Sequence, residues 1–179
     1  MSLQRLWAGW RMPYVSGAAA SGDQRETEHL EAGADRGRED CVFCTILASD
    51  EPDDATYVVW RGRHSFALLN AYPYASGHLM VMPTRHVADL EDIAGDEAGD
   101  LWGTLSEAVR ALKASYHPDG VNVGANLGRA AGAGIPGHFH FHVVPRWVGD
   151  TNFMTAAAET RVLPESLPDT WRRLRAVWA

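Results

Sequence analysis

Ten consecutive residues in the last third of the chain, Gly137 to Arg146, read GHFHFHVVPR, and no other segment constrains the fold as much. Alternation of polar and apolar side chains is the period of a β-strand, in which successive residues point to opposite faces. His138, His140 and His142 therefore share one face, and Phe139, Phe141 and Val143 share the other. A helix would scatter both sets around its circumference. One face belongs to a core; the other gathers three imidazoles. That gathering has three readings: a wet strand face that happens to be rich in histidine, a metal site built from neutral imidazoles, or a nucleophilic centre. In the last, one imidazole attacks phosphorus while its neighbours hold its tautomer. The spacing does not choose between metal and nucleophile.

The flanking segments alternate between the strand period and the helical one. TYVVWRGRHSFALLN predicts a hairpin of Thr56 to Trp60 and His64 to Leu69, turning through Arg61, Gly62 and Arg63. HLMVMP, His78 to Pro83, is a short apolar strand, and VNVGANL is another. From Ala88 to Tyr116, the residues Leu90, Ile93, Ala98, Leu101, Trp102, Leu105, Val109 and Leu112 recur at helical spacing. Pro118, Asp119 and Gly120 end that helix in a turn. One long helix among about five strands with mostly short connections describes an α+β domain with a largely antiparallel sheet. In Glu165 to Ala179, Leu167, Trp171, Leu174 and Trp178 mark a C-terminal packing helix.

This domain covers residues 41–147. Ahead of it, residues 1–15 form an aromatic arm with Leu6, Trp7, Trp10 and Tyr14, side chains whose burial is worth roughly 1.5–3 kcal/mol each. Residues 16–40 have almost nothing to bury and read as a mobile linker containing His29. Residues 148–179 are an extension ending in the helix. Trp60, Phe66 and Trp102 read as core or pocket walls, and His64 and His117 as solvated turn residues.

Charge narrows the partners. Lys and Arg number 16 against 23 Asp and Glu, a net charge of -7, which opposes binding to a nucleic-acid backbone but not to a free nucleotide. No apolar run approaches the ~20 residues of a membrane helix, and the start MSLQRLWAGWRMPYV lacks the pattern of a signal peptide. A cytoplasmic protein without membrane or nucleic-acid partners is expected. Immediately before the histidines, GANLGRAAGAGIPG carries glycines at 124, 128, 132, 134 and 137, a composition that lets backbone amides converge on an anion. Cys41 and Cys44, spaced C-x-x-C, are a redox pair, two buried thiols or half of a zinc site.

The run HFHFHVV resembles the histidine triad (HIT) family, whose mark is three histidines alternating with apolar residues. LLNAYPYASGHLMVMPTRH is similar to the family's nucleotide-side strand pair. RLWAGWRMPYV, CVFC and PRWVGDTNFM resemble a bacterial branch of diadenosine tetraphosphate phosphorylases and hydrolases. The resemblance implies a sheet continued across a homodimer and cleavage of dinucleoside polyphosphates through a nucleotidyl-histidine, with inorganic phosphate or water as acceptor. It puts the nucleophile on His140 with His142 and His78 beside it, the ribose on Asn70, and the phosphates on Asn126, Gly132, Gly134 and Ile135. It also implies a structural zinc held by Cys41, Cys44, His86 and His138, and a base stacked by Trp147 or Phe153 of a partner subunit. The chain departs from the family where Gly134 and Ile135 replace a Gln and a Ser or Thr, so no side-chain hydroxyl reaches the phosphates from there. Two further readings are a nucleoside phosphoramidate hydrolase and a zinc-stabilised nucleotide-binding protein without turnover.

Overall fold

The computed structural model describes residues 37–150 and 163–178. The aromatic arm, most of the linker with His29, and Phe153 lie outside the described residues. The elements in chain order are α1 (Val42–Ala48), α2 (Asp53–Thr56), β1 (Val58–Arg61), β2 (Ser65–Leu69), β3 (Leu79–Pro83), α3 (Gly95–Tyr116), β4 (Gly120–Ala125), β5 (Phe141–Arg146) and α4 (Leu167–Arg175). The strands form one sheet in the order β1-β2-β3-β5-β4, antiparallel at every pairing. The chain leaves β3 through α3, enters the far edge as β4 and returns inward as β5. That return sets β5 against β3, pairing His142 with Met80 and Val143 with Leu79.

Two of the three inner strands, β2 (SFALL) and β3 (LMVMP), are buried along their whole length, as apolar runs covered on two faces must be. On one face, Val59, Ala67, Leu69, Leu79, Val81 and Val143 pack under Leu101, Leu105, Ala108 and Leu112 of α3 and Leu174 of α4. On the other, Val58, Phe66, Leu68, Met80 and Met82 pack under Cys41, Phe43 and Cys44 at the start of α1. The histidines share this second face, so it is not a wet face: His138 is fully buried and His140 is 5% exposed.

Several boundaries differ from expectation. The first strand starts at Val58, because residues 53–56 form α2, which Tyr57 ends in the left-handed region at φ 57°. The long helix starts at Gly95, where φ is +60° and no right-handed helix can run through. Leu90 opens a single tight turn over Leu90–Asp92 instead, and Ile93 follows it as the extended cap. Trp102 lies on the outer face of α3 and is 69% exposed. The histidine strand enters its ladder only at Phe141; ahead of it the amide of Phe139 donates to the Val87 carbonyl, and the in-out alternation persists. The described C-terminal part of the extension, residues 163–178, packs onto the core. Thr170 and Leu174 of α4 are buried, Trp171 donates through Nε1 to the Val58 carbonyl at 2.8 Å, and Trp178 stacks on Trp60.

Candidate active site and metal centre

Hydrogen-bond partners assign a tautomer to each histidine of the buried face. The amide of Tyr74 donates to His78 Nδ1 at 3.0 Å, which leaves the His78 proton on Nε2. That Nε2–H lies 3.0 Å from His142 Nδ1, so His142 accepts there and carries its own proton on Nε2. His140 donates through Nδ1 to the carbonyl of His138 at 2.9 Å, which keeps its Nε2 as a lone pair. The rings of His140 and His142 stand 5.0 Å apart at 77°. Burial lowers the pKa of His140; burial, and then the facing His140, lowers that of His142. The site therefore presents an unprotonated imidazole nitrogen beside an imidazole N–H donor at neutral pH.

The first histidine does something else. His138 donates through Nε2 to the Pro83 carbonyl at 2.9 Å, which turns its Nδ1 lone pair toward Cys41 Sγ at 3.4 Å and Cys44 Sγ at 3.6 Å. His86 Nδ1 stands 3.4 Å from Cys44 Sγ, and the four donor atoms all lie within 4.8 Å of one another. A tetrahedral ion with zinc-like bond lengths separates sulfur from nitrogen ligands by about 3.6 Å, so Cys41, Cys44, His86 and His138 can hold a metal. Burial, chiefly, holds His138 down to about 4, so it offers a lone pair rather than a proton. Burial and the neighbouring Cys41 push the Cys44 thiol up to about 11; a cation taking this site displaces a proton from it. With two thiolates and two imidazoles the set is closed, the structural kind of centre.

The glycine loop leads into the histidine segment, and Asn70 stands beside His78. Gly128 at φ +75° and Gly132 at φ +96° bracket a tight turn over Arg129–Ala131, backbone that only glycine adopts without strain. Asn126 donates through Nδ2 to the Gly132 carbonyl at 3.3 Å, so its amide closes the loop. Ile135 packs partly buried against the Phe43 cluster, whereas Gly134 borders open space. Asn70, at the end of β2, accepts from the Tyr72 amide through Oδ1 and lies 3.5 Å from His78 Nδ1 through Nδ2. Trp147 meets the Tyr116 ring edge-on at 6.4 Å.

Two residues of the site had no functional reading from sequence. Phe43 touches the rings of both His138 and His140 at 5.4 and 5.3 Å, and its only signal is its place inside the C-x-x-C. Tyr74 covers His78 at 4.6 Å and His142 at 5.9 Å. Its signal is an aromatic residue in a loop four positions before a strand-leading histidine.

Comparison with known proteins fits this geometry. Residues 51–148 match the HIT domain family. The chain is 40% identical over 177 residues to an "AP-4-A phosphorylase" of Mycobacterium tuberculosis, covering 99% of this chain and 85% of that protein. Among solved structures, a zinc-bound histidine triad family protein from Mycobacterium smegmatis is 31% identical with a TM-score of 0.64, over 79% of this chain and 95% of that one. A HIT family member from Bacillus subtilis is 28% identical with a TM-score of 0.56, over 62% of this chain and 75% of that one. With a matched domain spanning more than half its length and the triad on the buried face of an antiparallel sheet, this chain belongs to the histidine triad (HIT) family.

Proposed function

We propose that the protein cleaves dinucleoside polyphosphates such as diadenosine tetraphosphate, with His140 as the nucleophile. The observation that carries this reading is the tautomer of His140, whose Nδ1–H is held by the His138 carbonyl at 2.9 Å, so that the lone pair sits on Nε2. The Nε2 atom attacks the α-phosphorus, a P–N bond forms, and the bond to the bridging oxygen breaks to release the nucleoside polyphosphate. The bridging oxygen departs with the bonding electron pair as a weakly basic phosphate oxyanion and needs no proton. His142, its Nδ1 satisfied by His78, directs its Nε2–H at a phosphoryl oxygen as charge builds there. Such transfer needs alignment and charge stabilisation above all. Inorganic phosphate or water then attacks the same phosphorus, the P–N bond breaks, and ADP or AMP leaves. Asn70 binds the ribose, and the loop amides around Gly132, Gly134 and Ile135, with Asn126, bind the phosphates. The 40% identical phosphorylase supports the substrate class.

Zinc is the metal we assign to Cys41, Cys44, His86 and His138, on the donor chemistry and the zinc-bound relative. Its role is to tie α1 to the segment leading into β5 and so fix the His138 carbonyl that holds His140. The sheet extends in a homodimer through the edge of β4 that no described strand pairs, where Val123 is 46% exposed; the opposite edge is covered at Val58 by Trp171. No helix among the described residues is long and apolar enough to cross a membrane, and we place the protein in the cytoplasm.

The test is product chromatography after incubation with diadenosine tetraphosphate, with and without phosphate. ATP plus ADP that depends on phosphate identifies a phosphorylase, and ATP plus AMP without phosphate a hydrolase. No cleavage overturns the reading in favour of a nucleotide-binding protein.

A further inference from the structure

The C-terminal helix lies outside the residues that match the HIT domain, which end at 148, yet a contiguous set of contacts runs from it to the histidine pair. Glu165, just ahead of α4, is the hub. Its Oε2 accepts from the Tyr116 hydroxyl and from Thr170 Oγ1, and its Oε1 accepts from Arg173 Nε at 2.9 Å. The carboxylate is well covered, with a side chain 14% exposed. Arg173 also lies over the Tyr116 ring, 5.2 Å from its centre. Tyr116, the last residue of α3, is thus held at its hydroxyl and on its face.

One side of that ring, Cε2 and Cδ2, meets the loop that carries His78. A Cβ placed on Gly77 would stand 3.0 Å from Tyr116 Cε2 and 3.0 Å from Leu112 Cδ2. Gly77 itself has φ +85°, so its conformation and the space beside it both exclude a side chain. The residue pressed into this gap directly precedes His78. The next two hydrogen bonds are those of the His78 ring, from the Tyr74 amide and to His142 Nδ1 at 3.0 Å.

We infer that Glu165 is a positioning residue for the reaction centre, acting through Tyr116 and Gly77 on the His78–His142 hydrogen bond. This inference deepens the proposed function and rests on its assignment of His142 to the reacting phosphoryl group. The extension therefore sets the catalytic rate as well as adding burial. A misplacement of His78 by less than an ångström lengthens a bond that now measures 3.0 Å, and displacements of that order in a catalytic array cost on the order of tenfold to 100-fold in rate.

Glu165→Gln keeps an acceptor oxygen for Tyr116 and Thr170; Glu165→Ala keeps none. Tyr116→Phe keeps the ring against Gly77 and removes only its donor, and it carries the test should Glu165→Ala fail to fold. Two readouts are measured on full-length protein. The first is kcat and KM for diadenosine tetraphosphate. The second is the downfield proton resonance of the hydrogen-bonded His78 Nε2–H in protein labelled with 15N-histidine. Glu165→Ala is expected to lower kcat on the order of tenfold or more with KM little changed, and to broaden or lose the resonance. Tyr116→Phe shifts both in the same direction by less, and Glu165→Gln restores both. Variants that melt earlier but keep the resonance and kcat of the parent overturn the inference. If the parent does not cleave the dinucleotide, the proposed function fails by itself, and the resonance still decides whether the clamp exists.

Discussion

His140 and His142 are two residues apart on one face and chemically similar, and only their partners separate them. The carbonyl of His138 takes the Nδ1 proton of His140, whereas His78 supplies a proton to Nδ1 of His142. Replacing His140 with Ala is expected to reduce kcat by at least about 10³-fold, the scale of losing a nucleophile, with the fold unchanged by circular dichroism; a parental rate would remove it from the reaction. Burial, followed by the facing His140, lowers the pKa of His142 below the ordinary 6.5. The folded protein thus takes up that proton at lower pH than the unfolded chain, so the stability tied to a neutral His142 is full above 6.5 and is lost as pH falls from 6.5 through the lowered value, where the His78–His142 bond is lost as well. A pH–rate profile should be flat from pH 8 to about 6.5 and decline only below that; a decline that begins above pH 7 would contradict the assigned environment. The identities of these histidines were legible in HFHFHVV, and so was their shared face. Their tautomers were not, because they depend on Tyr74, on Pro83 and on the carbonyl of His138, none of which strand periodicity reveals.

At the scale of elements, alternation and helical spacing located the sheet and α3, while the ends of elements escaped. Gly95 at φ +60° decides where α3 starts, and nothing in the apolar pattern from Leu90 onward distinguishes a tight turn from a first helical turn. The short helix α1 escaped for a related reason. Its seven residues, VFCTILA, are too few to show a period, yet it places Phe43 and both cysteines on the histidine face. For α4 the packing pattern was readable in Leu167, Trp171, Leu174 and Trp178, and its bond to the sheet edge was not. Replacing Trp171 by Phe removes the donor to the Val58 carbonyl. A lost hydrogen bond of this kind costs about 1 kcal/mol, which in a chain of this size lowers Tm by roughly 2–4 °C. Scanning calorimetry showing no change would mean that α4 is held without that bond.

Over the whole molecule, the C-x-x-C and two distant histidines converge because α1 folds over the sheet face opposite α3, bringing Cys41 and Cys44 beside His86 and His138. A buried set of four protein donors leaves no open position for substrate, so removal of the zinc we propose there should act on stability first. With a strong chelator, activity is expected to decline with the slow loss of folded protein followed by circular dichroism, whereas an immediate loss of rate from a still-folded protein would place the metal in the reaction. The net charge of -7 opposes an anionic substrate at long range, so the phosphate binding we propose falls to local groups, the amides of the glycine loop and the neutral imidazoles. The proposed reaction passes through one covalent species, a nucleotidyl-His140. Rapid quenching of the protein with diadenosine tetraphosphate in phosphate-free buffer, followed by peptide mass spectrometry, should find the increment of one adenylyl group on the peptide containing His140. Absence of that adduct while the His140→Gly variant cleaves at the parental rate would contradict the account.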